Sequence, residues 1–205
     1  MSWYGLLIGI AIVIFINYFQ KNNKLIPKSK ENIFLFLLII FTFLGARIYF
    51  VLTKLSFFVS HPNQILNTRG GGLGFLGGII GATLFLLIYS KINKINFIKL
   101  TDSFITIVPL GQALGRIGNW INQEIYPVCI YEFFLNLALF FLLLKIKKNK
   151  TATYLIVYSC FRFILEFIRS DALVYHLGHI ISLIGILLGI IIISNDKYLS
   201  RRQSS

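Results

Sequence analysis

Seven long apolar runs, at roughly 3–19, 33–53, 73–90, 101–121, 129–145, 152–169 and 176–194, leave this chain of 205 residues little room for anything but membrane-crossing helices. One crossing takes about 20 apolar residues, so seven of them use about 140. Only 13% of the residues are charged against 57% hydrophobic, which rules out the surface of a soluble domain. The predicted fold class is all-α, a polytopic membrane protein with about seven transmembrane helices. No fixed-period repeat, low-complexity tract or long linker divides it, so 1–205 reads as a single domain. The opening MSWYGLL has no Lys or Arg ahead of its apolar run and no small-residue cleavage site, so the first helix is expected to be retained.

Lys and Arg outnumber Asp and Glu by 20 to 7. In a soluble chain that excess would point to nucleic acid. Here 14 of the cations sit in four loops or tails, around Lys21 to Lys30, Lys91 to Lys99, Lys145 to Lys150 and Lys197 to Arg202. The intervening loops and helix ends hold only Lys54, Arg69 and Arg169. The cations therefore act as topology signals and lipid-headgroup contacts, with no nucleic-acid partner. An odd number of crossings with this bias places the N-terminus outside and the C-terminus in the cytoplasm. The run 101–121 is interrupted by Thr101, Asp102, Pro109 and glycines, and is expected to be broken or only partly spanning. Glycines four residues apart, among them Gly77 and Gly81 or Gly111 and Gly115, are expected to let helix backbones approach closely.

Ionisable residues within apolar segments cost several kcal/mol each unless paired or wet, so they mark function or pairing. In YLIVYSCFRFILEFIRS, residues 154–170, Tyr158, Arg162, Glu166 and Arg169 share one helix face. Arg162 and Glu166 could form an internal salt bridge, yet a second guanidinium would remain to meet a phosphate or carboxylate. In GQALGRIGNWINQE, residues 111–124, Arg116, Asn119 and Gln123 fall at i, i+3 and i+7, with Asn122 and Glu124 nearby; a polar seam between helices is the alternative. RGGGLGFLGG, residues 69–78, has no GK[ST] and is no P-loop. Its glycines, Gly71, Gly72, Gly77 and Gly78, are expected to free backbone N–H groups at a helix entrance for an anion. Arg47 is either one more headgroup cation or a snorkelling side chain. Arg47, Arg69, Arg116, Arg162 and Arg169 against Glu124, Glu132 and Glu166 would make a net positive pocket for one phospholipid phosphate. Cys129 and Cys160 read as buried free thiols. The carboxylates lack His or Cys companions at ligand spacing, so no metal and no cofactor are expected.

These motifs resemble, in order and almost end to end, those of the prolipoprotein diacylglyceryl transferase family of the bacterial cytoplasmic (inner) membrane. WYGLL at 3–7, GARIYFVL at 45–52 and GGLGFLGGIIG at 71–81 are similar to its first three motifs, and GRIGNWINQE lies at the core of its signature. YPVCIYE at 126–132 is similar to its HPSQLYE element, YSCFRFILEFIR at 158–169 to its RF-x-x-EF-x-R helix, and GHIISL at 178–183 to its GQ-x-x-S segment.

The resemblance implies an enzyme that moves the sn-1,2-diacylglyceryl group of phosphatidylglycerol to the thiol of the lipobox cysteine in a prolipoprotein signal peptide. A thioether forms and glycerol-1-phosphate leaves. It implies functional roles for Arg116, Asn119, Glu124, Arg162, Glu166, Arg169, Tyr4 and Tyr158. Two departures stand out. Leu76 occupies the place of a family histidine, so His179, or His176, is a candidate for the missing imidazole, with Tyr4 or Glu124 as alternatives. Glu124 is also followed almost directly by YPVCIYE, without the family's extracytoplasmic head. Alternatives of other kinds are a related transferase using another anionic lipid or acceptor, a non-catalytic lipid-binding membrane protein, and a transporter, for which no inverted repeat speaks.

Overall fold

The computed structural model describes residues 3–68, 71–168 and 175–202, with side chains described over 5–68, 71–168 and 177–196. Among the described residues the chain is helical, with no strand. The order is α1 (Trp3–Asn22), α2 (Lys28–Thr53), α3 (Leu55–Ser60), a 3-10 turn (Pro62–Gln64), α4 (Phe75–Ile92), α5 (Phe97–Asp102), a second 3-10 turn (Ile105–Ile107), α6 (Val108–Ile121), α7 (Val128–Lys145), α8 (Lys150–Glu166) and α9 (Tyr175–Arg202). Five helices, α1, α2, α4, α7 and α9, are long and apolar enough to cross a membrane. They carry many exposed Leu, Ile and Phe side chains, as a helix in hydrocarbon should. The other two expected crossings differ. α6 has 14 residues and rises only about 21 Å, short of a hydrocarbon core of about 30 Å. α8 has 17 residues and carries Arg162 and Glu166.

The run 101–121 is broken, as its punctuation implied. α5 stops at Asp102, and α6 begins beyond a 3-10 turn with Pro109 in its first turn, where a missing N–H removes no helical bond.

The chain divides into two compact units, Lys24–Leu100 and, together, Met1–Asn23 with Thr101–Ser205. In the first, α2 packs along α4. Backbone meets backbone there. A Cβ added at Gly45 would strike the Gly77 carbonyl oxygen, one at Gly77 the Gly45 oxygen, and one at Gly81 the Phe41 oxygen. Beside this contact Phe34 packs edge-on to Tyr89 at 4.8 Å and against Phe85 at 5.5 Å.

In the second unit α1 packs on α6, α6 on α7, α7 on α8 and α8 on α9. Asp102 secures the start of α8 by accepting from the Thr151 backbone N–H at 2.7 Å and from its hydroxyl. α9 presents a glycine seam to α8, Gly185 over Ser159 and Gly189 over Ile156 and the Ala152 carbonyl. Gly9, Gly111 and Gly115 do not serve close packing, because a Cβ at each would meet nothing within 4 Å among the described residues.

Candidate active site

Three consecutive helices each bring ionised groups to one place. α6 contributes Arg116 and Asn119 from one face, α7 contributes Glu132 four residues into the helix, and α8 contributes Arg162 and Glu166 one turn apart. Arg116 Nε stands 2.6 Å from Glu132 Oε2, and Arg162 Nη1 donates to Glu132 Oε1 at 2.6 Å. Arg162 Nη2 stands 2.7 Å from Glu166 Oε2. On the other flank Arg116 Nη1 donates to Asn119 Oδ1 at 2.9 Å. Asn119 Nδ2 then donates to Glu124 Oε2 at 2.8 Å, and Asn122 Nδ2 to Glu124 Oε1 at 3.3 Å. The result is one continuous chain, Glu124–Asn119–Arg116–Glu132–Arg162–Glu166.

Burial separates the two signs of charge. The Glu132 and Glu166 side chains are 6% exposed, whereas those of Arg116 and Arg162 are 21% and 19% exposed. The arginine side chains are thus the more accessible partners and the carboxylates the buried ones. Among the described residues nothing stands within 4 Å of where a Cβ on Gly115 would be, next in sequence to Arg116.

Most of the expected constellation assembles here. Arg116, Asn119, Glu124, Arg162 and Glu166 form the chain, and Tyr158 lies one turn below Arg162, stacked on Tyr154 at 5.4 Å. The internal Arg162–Glu166 pair is present, and Arg162 serves Glu132 as well. His179 lies on α9 beside Gly178, which rests against the Glu166 carboxylate, and its ring meets the rings of Phe163 at 4.9 Å and Phe167 at 4.5 Å. The side chains of Tyr4 and His176, and all of Arg69 and Arg169, lie outside the described residues.

Several expectations are corrected. Arg47 is not available to grip a headgroup. Its five N–H groups face five backbone carbonyls: Nε to Ile65 at 2.7 Å, Nη1 to Gly72 at 2.8 Å and Gly71 at 3.5 Å, and Nη2 to Gln64 at 2.7 Å and Asn67 at 2.9 Å. It is 7% exposed and lies against the rings of Phe50 and Phe58, so it is a staple for the 64–72 segment. Gly77 and Gly78 sit in the α2/α4 contact rather than at an anion site. Gly71 and Gly72 have φ of 92° and 81°, which a side chain would resist, and a Cβ on Gly72 would press into Arg47. Gln123 leaves the Arg116 face because α6 ends at Ile121 and Gln123 itself has φ 56°. The net positive pocket is not found among the described residues, where two guanidiniums meet three carboxylates.

Two participants, Gln112 and Tyr154, escaped the sequence analysis, and Glu132 entered it only as one carboxylate of the pocket. Glu132 is the hub, and its signal was a lone carboxylate in the apolar run 129–145. Gln112 and Tyr154 extend the polar face inward, Gln112 Nε2 donating to the Tyr154 hydroxyl at 2.8 Å. They stand one turn before Arg116 and Tyr158, and that spacing was the available clue.

Comparison with known proteins points to one family. The family profile described as prolipoprotein diacylglyceryl transferase matches residues 1–194. A phosphatidylglycerol--prolipoprotein diacylglyceryl transferase of Clostridioides difficile (strain 630) is 33% identical over 234 aligned positions, covering 100% of this chain and 93% of that protein. Proteins with the same name from Clostridium novyi (strain NT) and Finegoldia magna are 32% and 30% identical, over 96% and 94% of this chain. On the profile match over residues 1–194 and on relatives of 30–33% identity over nearly its whole length, the chain belongs to the prolipoprotein diacylglyceryl transferase family.

Proposed function

We propose that this chain transfers the sn-1,2-diacylglyceryl group of phosphatidylglycerol to the thiol of a prolipoprotein's lipobox cysteine, within the bacterial inner membrane. One observation carries the reading: two guanidiniums from separate helices, Arg116 and Arg162, converge on one buried carboxylate at 2.6 Å each. Guanidiniums held at fixed spacing in a low-dielectric setting suit the phosphate that departs. The sulfur attacks the glycerol carbon that bears the phosphate ester. The C–S bond forms as the C–O bond breaks, the electron pair stays on glycerol-1-phosphate, and the thiol proton passes to a base. Arg116 and Arg162 stabilise the charge growing on the leaving phosphate. Asn119 and Glu124 fix Arg116, and Glu166 fixes Arg162.

Leu76 cannot move a proton, so we assign the base to His179 on α9, next in sequence to Gly178, which rests against the Glu166 carboxylate of α8. Arg169, Tyr4 and Tyr158 are assigned to the same site on their family motifs. In this reading α6 and α8 are shorter crossings that bring the total to seven, with the N-terminus outside, the C-terminus cytoplasmic and both units serving one membrane domain. Arg116, Glu132, Arg162 and Glu166 then fall in the outer half of the membrane.

The test is direct: purified protein, phosphatidylglycerol and a lipobox peptide. A peptide mass increase by one diacylglyceryl group with release of glycerol phosphate is expected. Lipid binding without transfer would instead leave a binding protein. Leu76 favours a second reading, the same chemistry with another anionic lipid or acceptor, which turnover only with that lipid or acceptor would select.

A further inference from the structure

Arg116 and Arg162 are charge-paired in a way that leaves hydrogen bonds unmade. Glu132 Oε2 and Glu166 Oε2 are buried and accept no hydrogen bond, although guanidinium nitrogens stand 2.6 and 2.7 Å away. The ions are close but those N–H groups are not aimed at the oxygens. Arg116 Nη2 and Arg162 Nε, moreover, donate to no partner among the described residues. An aligned guanidinium–carboxylate fork would use both donors of one edge. Neither arginine has such a fork with Glu132, which is split between them.

We propose that Glu132 is a positioning counter-ion: it holds the α6 and α8 guanidiniums at one spacing and competes with the substrate phosphate for them. This rests on the function proposed above and deepens it by adding a residue with two opposed effects. Glu132 is 5% exposed while the Arg116 and Arg162 side chains are 21% and 19% exposed, so the phosphate meets the more accessible arginines, of which Glu132 holds Arg162 by one hydrogen bond and Arg116 by charge alone. Removing the carboxylate's charge should tighten anion binding, because one buried negative charge no longer opposes the phosphate. The same change should slow transfer, because Arg116 loses what fixes its Nε edge.

The experiment compares wild type, Glu132→Gln and Glu132→Asp in lipid nanodiscs, measuring phosphatidylglycerol affinity and kcat for transfer to a lipobox peptide. Glu132→Gln is expected to bind the lipid on the order of tenfold more tightly and to lose kcat by about a hundredfold. Glu132→Asp keeps the charge at shorter reach, so its lipid affinity should stay within about twofold of wild type while kcat falls. Unchanged or weaker lipid affinity in Glu132→Gln overturns the proposal. Should that variant not fold, Glu132→Asp decides: kcat lost at constant affinity supports it, and affinity lost in parallel overturns it. A wild type that binds phosphatidylglycerol without transferring it defeats the proposed function and leaves the affinity comparison valid.

Discussion

Gly178 lies flat against the carboxylate of Glu166, so closely that a methyl group at position 178 would overlap Oε1. Glu166 in turn meets Arg162 at 2.7 Å. A small residue on α9 therefore sets where a guanidinium on α8 stands. Gly178→Ala should push the carboxylate aside and misplace Arg162. Transfer activity is expected to fall by about a hundredfold, measured as diacylated peptide formed per protein, with the helical circular dichroism retained. Activity within a few-fold of wild type would show that Glu166 has room to yield.

Arg116 uses two different nitrogens at once, Nε toward Glu132 and Nη1 toward Asn119. Lysine has one ammonium and cannot span both partners. Arg116→Lys should fold yet lose kcat by roughly a hundredfold or more. Steady-state assays with phosphatidylglycerol and peptide, alongside a thermal unfolding scan, separate this from a loss of stability.

Arg47 predicts the opposite pattern. Its replacement by alanine strips donors from five carbonyls between Gln64 and Gly72 in one step. A stability loss on the order of 3 kcal/mol is expected. Arg47→Lys should recover only part of it, because one ammonium has three donors. Thermal unfolding in detergent checks both, and an unfolding midpoint unchanged by Arg47→Ala would contradict the staple.

His179 is tested by a near-isosteric change. His179→Gln should lower kcat by about a hundredfold while the KM for phosphatidylglycerol stays near wild type, as loss of a proton acceptor requires. Full activity in this variant places the base elsewhere, with Glu124 the next candidate.

Helix identity and approximate placement were legible in the apolar runs, since burying twenty consecutive apolar residues in lipid leaves the backbone few choices besides helix. The break near Ser103 was legible too, in Asp102 and Pro109. The polar faces of α6 and α8 followed from spacing, yet Gln123 did not belong, because a helix end at Ile121 rotates everything beyond it. Glu132 could not be recognised as the hub, since its importance arises from α7 standing between α6 and α8 in space. Arg47 was misread for a related reason. An arginine within an apolar run satisfies itself equally well on a phosphate or on loop carbonyls, and the choice depends on where a segment some twenty residues further along returns.

The contact at Gly45, Gly77 and Gly81 leaves no gap for a lipid tail between α2 and α4. Two helices joined along bare peptide planes cannot part without giving up that whole seam. Any rocking in this half of the protein is thereby confined to the pair as a whole.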